Sequence, residues 1–240
     1  MKNQKKKEEF SLKEQYEKSW NYILYSKKFI LVMIFLFFLF VLIGAFVPAT
    51  SFILEQISKF IEELLSQTEG LSRFELIQFI LINNLQVSFG AIVLGIFFGI
   101  FPILFAISNG YFLGIISLES IKEKGFLILL NLLPHGIFEL PAIFISLGLG
   151  LFLGYHSIIF TYNFIKYHKT NLPVWLLITL LILFPIIFLM VSLILDFNEK
   201  KFSKNIYGCL KNSLRVFFFI ILPLLVFAAV IEGSFVFFLR

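Results

Sequence analysis

Nineteen consecutive residues from Phe29 to Val47 carry no charged side chain, and as an α-helix they reach about 28 Å, enough to cross a hydrocarbon core of ~30 Å. That run decides the solvent. A backbone in lipid must satisfy its own N–H and C=O groups, so the chain around such a segment can only be helical or a closed barrel, and the run is too long for a barrel strand. The rest of the chain agrees: of its 240 residues 59% are hydrophobic, 34 are Phe and only 15% are charged. Soluble domains carry about 25% charged residues, so this chain cannot cover itself against water, and a soluble enzyme and a disordered chain are both excluded. The expected fold is all-α, a polytopic transmembrane helical bundle. The single Cys209 rules out an intrachain disulfide and a cysteine-based metal cluster.

Charge placement sets the expected topology. Residues 1–28 hold eight lysines and read as a cytoplasmic, amphipathic, basic segment that stays attached, too charged for a cleavable signal. Between Pro48 and Glu75 the balance reverses, with Glu55, Glu62, Glu63, Glu69 and Glu75 against Lys59 and Arg73, so this stretch is expected outside. Lys200, Lys201, Lys204 and Lys211 place the loop from Asp196 to Ser213 inside. About five spans follow, at 29–47, 84–107, 136–156, 173–195 and 214–239, forming one membrane domain over 29–240. This is a multi-pass cell-membrane protein with its N-terminus cytoplasmic and its C-terminus external. Residues 109–133 contain two apolar runs, each too short to cross, split by Lys122, Glu123, Lys124 and Gly125. They read as a re-entrant region on the cytoplasmic side, with two tilted full spans as the alternative.

Two flanks are amphipathic. Leu12, Tyr16, Trp20, Ile23 and Leu24 share one helical face, the pattern of a helix lying in the interface. Within 50–70, Ile53, Ile57, Phe60, Ile61, Leu64 and Leu65 face away from Glu55, Lys59, Glu62 and Glu63. This external helix rests on the membrane or on other spans, or offers a docking face to a partner.

Asn83, Asn84, Gln86, Asn109, Asn131, His135, Glu139 and Glu232 interrupt apolar sequence. A charge at mid-membrane costs ~2.5 to 3.5 kcal/mol on insertion scales, so Glu139 needs a partner, a proton or a hydrated cavity. His135 and Glu139 lie one turn apart on one face, behind Pro134, which suits a first helical turn. The pattern therefore predicts a half helix starting near Pro134, with a second break at Asn109–Gly110. Such helix ends hold anions in transporters, or the polar residues simply satisfy the broken ends. Glu232 has Lys166, Lys169 or another subunit as candidate partners. Gly95 with Gly99, Gly110 with Gly114 and Gly150 with Gly154 are small-xxx-small spacings that favour close internal packing over a homo-oligomer interface.

No enzyme is expected. His135 and Glu139 lack a third metal ligand, since His156 and His168 fall on the other side, and there is no His-Glu-x-x-His motif, nucleophile elbow or P-loop. No metal and no cofactor is implied. The net charge of +5 comes from lysine placement, not from a basic binding face, so no nucleic-acid partner is expected.

The block from Leu81 to Gly154 carries Asn83-Asn84, Gly95 and Gly99, Asn109-Gly110 with Gly114, and Pro134-His135-Gly136 leading to Glu139. In this order and spacing it resembles the stage II sporulation protein M family. The resemblance implies an integral membrane protein that, in endospore formers, is similar to the membrane platform of a cell-wall-remodelling complex with peptidoglycan hydrolases. Many relatives live in organisms that do not sporulate, so it informs architecture more than process. Two functions are open at this point. One is a non-enzymatic membrane scaffold that organises a complex with membrane or cell-envelope proteins. The other is a transporter or lipid-handling protein using the polar site at His135 and Glu139. Membrane lipids are partners in either case.

Overall fold

The computed structural model describes residues 11–47, 49–126, 133–168 and 206–239, and among them every regular element is a helix. The expected span 173–195 and Asn131 lie outside the described residues.

α1 (Leu12–Phe46) joins the basic flank and the first span in one uninterrupted helix of 35 residues. Its inward stripe, Ser19, Ile23, Ser26, Ile30, Met33 and Phe37, recurs at intervals of three and four, as helix-on-helix packing requires. The apolar face expected to position the flank is therefore only half right. Ile23 packs inside, while Leu12, Tyr16, Trp20 and Leu24 stay exposed, because small serines let α1 approach its neighbours more closely than large side chains would.

α2 (Ser51–Thr68) starts at Thr50, whose hydroxyl accepts from the Ile53 N–H at 3.4 Å. No residue of α2 is buried. α3 (Arg73–Leu94) opens on a reciprocal capping box: the Ser72 N–H donates to Glu75 Oε2 at 2.9 Å and the Glu75 N–H to Ser72 Oγ at 3.4 Å. α4 (Ile100–Lys124) follows after a tight reversal at Gly95–Gly99, where Phe98 and Gly99 have φ of 57° and 74°. Left-handed backbone at two successive residues turns the chain back on itself.

That reversal corrects the expected layout. The span 84–107 does not exist as a unit, since the chain turns inside it and forms two crossing helices. Asn109–Gly110 is no break but the interior of α4, and residues 109–124 belong to one helix long and apolar enough to cross a membrane. Glu119 and Lys122 lie beside Ala45, Val47 and Leu54, at the same end as α2. The cause is local: the apolar run gives no sign of where it folds back, and only the backbone at Phe98–Gly99 does.

α5 (Leu133–His168) is likewise a full helix of 36 residues, not a half helix, with Pro134 in its first turn and Pro141 inside it. α6 (Ile206–Val216), a π-helical turn (Phe217–Ile221) and α7 (Leu222–Leu239) complete the described chain. Among the described residues five stretches are long and apolar enough to cross a membrane: Leu12–Phe46, Arg73–Leu94, Ile100–Glu123, Gly136–Asn163 and Ile206–Phe238.

Glycines set the helix contacts. A Cβ on Gly95 would strike the Gly150 backbone, one on Gly150 the Ala91 carbonyl, and one on Gly154 the Gly99 backbone, so two of the three expected pairs meet each other. Gly110 and Gly114 of α4 press on Phe37 and Val41 of α1. Sequence spacing missed Gly44, Gly148 and Gly233, which sit against Tyr111, Ile30 and Ile77. These contacts fix direction: α1, α4 and α7 run one way, α3 and α5 the other.

Candidate functional site

Parallel packing of α3 and α5 brings the middle of one against the first turns of the other. Asn84 lies eleven residues from the start of α3 and is 6% exposed. Glu139 lies one turn into α5 from Gly136, and its carboxyl comes close to the side chains of Asn84 and of Glu232 of α7. Glu232 arrives because α7 runs antiparallel to α3, which also puts Gly233 against Ile77.

Around this triad α1, α3, α4 and α5 enclose a cavity of about 260 Å³. Asn83, Asn84, Asn109 and Glu139 line it, with Phe37, Phe105 and Leu147 among its apolar walls. Asn109 donates to the Phe105 carbonyl at 2.8 Å, which leaves its amide oxygen facing other groups. Four of the eight polar residues singled out in the sequence thus line one cavity, and Glu232 lies next to Glu139. His135 falls in the first turn of α5, but its side chain lies outside the described residues, as does Asn131. Of the partners expected for Glu232, Lys166 is 27 residues, or about 40 Å, along α5 from Glu139, at the other end of the bundle, and Lys169 lies outside the described residues.

The chemistry follows from donor and acceptor counting. A carboxylate only accepts, so two neighbouring carboxyl groups can hydrogen-bond to each other only when one of them carries a proton. Two separate carboxylates at mid-membrane would cost ~5 to 7 kcal/mol on insertion scales, and a shared proton removes one of those charges. Asn84 can contribute an amide N–H to the other. The result is a polar cluster in otherwise apolar surroundings, facing a cavity large enough for several water molecules.

Sequence reasoning also missed an element at the α2 end. Arg73 Nη2 donates to Ser234 Oγ at 2.8 Å, and the guanidinium lies 5.7 Å from the Phe238 ring centre, tying the start of α3 to the last turns of α7. Neither the distance in sequence nor any motif signals this pairing.

Five helical stretches long and apolar enough to cross a membrane, with no strand among the described residues, define a multi-pass, all-α integral membrane protein. The model of one family, SpoIIM, Stage II sporulation protein M, matches residues 33–236. The chain belongs to that family. No curated protein and no solved structure matches it.

Proposed function

We propose that this integral membrane protein is a non-enzymatic component that organises a membrane-associated complex, and that α2 is its docking element. The observation that carries the reading is α2 itself: an 18-residue helix with no buried residue, leaving Phe52, Phe60 and Leu65 exposed. Isolated helices of this length are marginal in water, so its apolar face needs a cover. Helices that lie on membranes bear Lys and Arg on the polar face, whereas α2 bears Glu55, Glu62 and Glu63 against Lys59, and Lys59 is held by Glu55 at 2.6 Å. An acidic polar face disfavours anionic lipid and favours a protein partner with a basic surface. The implied role of the family as a platform for envelope proteins supports the same reading. The charge asymmetry supports a cytoplasmic N-terminus and an external α2, and Ser234 beside Arg73 supports the same side for the end of α7.

A photo-cross-linker at Phe52 or Leu65 in native membranes tests this. The expected result is a protein adduct of one discrete mass, weakened by salt and by Glu62→Lys with Glu63→Lys. Adducts to lipid alone would sink the reading, and an adduct of twice the chain mass would make a second copy the partner.

The cavity supports a second reading, a transporter or lipid-handling protein. A mid-membrane carboxyl pair facing an amide-lined cavity is a common form of solute or proton site. Reconstituted flux of protons or small anions, abolished by Glu139→Gln without loss of folding, is the outcome this reading requires.

A further inference from the structure

A larger cavity, about 840 Å³, opens at the end of the bundle away from α2, between α1 and α5. Its lining is unlike that of the central cavity. Tyr25 and Lys28 of α1 face Phe152, Tyr155, His156 and Asn163 of α5, residues that recur along one face of each helix. The aromatic rings interlock: Phe152 meets His156 edge-on at 4.6 Å and Tyr25 at 5.7 Å.

Position and chemistry narrow the occupant. Lys28 is the last charge before the uncharged run that begins at Phe29, so the cavity sits where α1 enters hydrocarbon. Lys166 follows Asn163 by three residues on the same face of α5, adding a second cation beyond the cavity. An ammonium, an imidazole, a carboxamide and two phenols line the cavity, and among the described residues no carboxylate does. Each of those groups can donate a hydrogen bond to a phosphate oxygen. Behind them the wall is aromatic and aliphatic, as at a membrane interface where headgroups give way to chains.

We propose that this cavity binds the headgroup of an anionic phospholipid. Lys28 supplies the charge, while His156, Asn163 and the phenols of Tyr25 and Tyr155 supply directional donors to the phosphate. The acyl chains leave along the apolar wall formed by Phe29 and Ile159. A free phosphate ion would use the donors but not that wall. Basic pockets between spanning helices recognise headgroups in this way, and each cation near the surface contributes about a fivefold preference for anionic lipid.

The test uses the full chain in nanodiscs of phosphatidylcholine with a minor share of phosphatidylglycerol, and native mass spectrometry to count the lipids retained. The wild type is expected to retain phosphatidylglycerol in excess of its share. Lys28→Gln should lower that enrichment about fivefold. Asn163→Leu should lower it while phosphatidylcholine retention is unchanged, and Lys13→Gln, remote from the cavity, should leave it intact. Circular dichroism identifies any variant that fails to fold, and the other then decides. Absence of enrichment in the wild type, or enrichment unchanged in the cavity variants, overturns the proposal. So does displacement of the lipid by inorganic phosphate in the buffer, which would make the site one for a soluble anion.

Discussion

Truncating Glu139 to Ala removes the carboxyl that lies beside both Glu232 and the buried amide of Asn84. Two interactions are lost together, and a buried polar group deprived of its partner costs ~1 to 3 kcal/mol, so the destabilisation should be about 2 to 5 kcal/mol. Glu139→Gln keeps the shape and can both donate and accept, so it should cost about 1 kcal/mol or less. Replacing both carboxyls, as Glu139→Leu with Glu232→Leu, removes the need for a shared proton and should cost less than the two single Leu changes added. The coupling expected for residues in one network is ~0.5 to 3 kcal/mol. Unfolding in bicelles by steric trapping, applied to the five variants and the wild type, measures these differences. If Glu139→Ala costs less than about 0.5 kcal/mol and the double change is strictly additive, the carboxyls are hydrated independently and the network reasoning fails.

The helix contacts give further tests. Gly150→Leu should overpack the α3–α5 seam against Ala91 and Gly95 and cost about 1 to 3 kcal/mol or more, whereas Gly90→Ala, with open space at its Cβ, should be neutral or gain about 0.5 to 1 kcal/mol. Thermal unfolding of the pair distinguishes seam from surface. Ser72→Ala should cost about 1 kcal/mol through loss of the α3 cap, with faster amide exchange confined to the first turn of α3. Cys209 is buried, so the native chain should label poorly with impermeant maleimide. In intact cells a cysteine at Glu63 and one at Lys122 should both label and one at Lys18 should not; labelling at Lys18 and Glu63 alike would reject the topology.

Much of the fold was readable because lipid allows so few options. An uncharged run of nineteen residues must be a helix, and the scarcity of charges made those that remain informative about depth and side. The polar residues could be picked out for the same reason: in apolar sequence each Asn or Glu carries a desolvation cost that must be answered somewhere. What answers it was not readable. Glu232 lies 93 residues from Glu139 in the chain, and no local pattern pairs them. Likewise Gly95 and Gly99 advertise close packing but not that the chain turns between them.

The sequence by itself determined the solvent, the helical class and the short list of polar residues, because these follow from composition and local spacing alone. The tertiary structure decided that the run 84–107 is a hairpin, that α4 and α5 are continuous helices, and that Asn83, Asn84, Asn109 and Glu139 share one cavity with Glu232 beside Glu139. The physical reason is that hydropathy reports how far a side chain is from water but is blind to direction. Which way a helix runs, and which buried groups therefore meet, depends on backbone torsions at a few residues and on glycines that let particular helices touch.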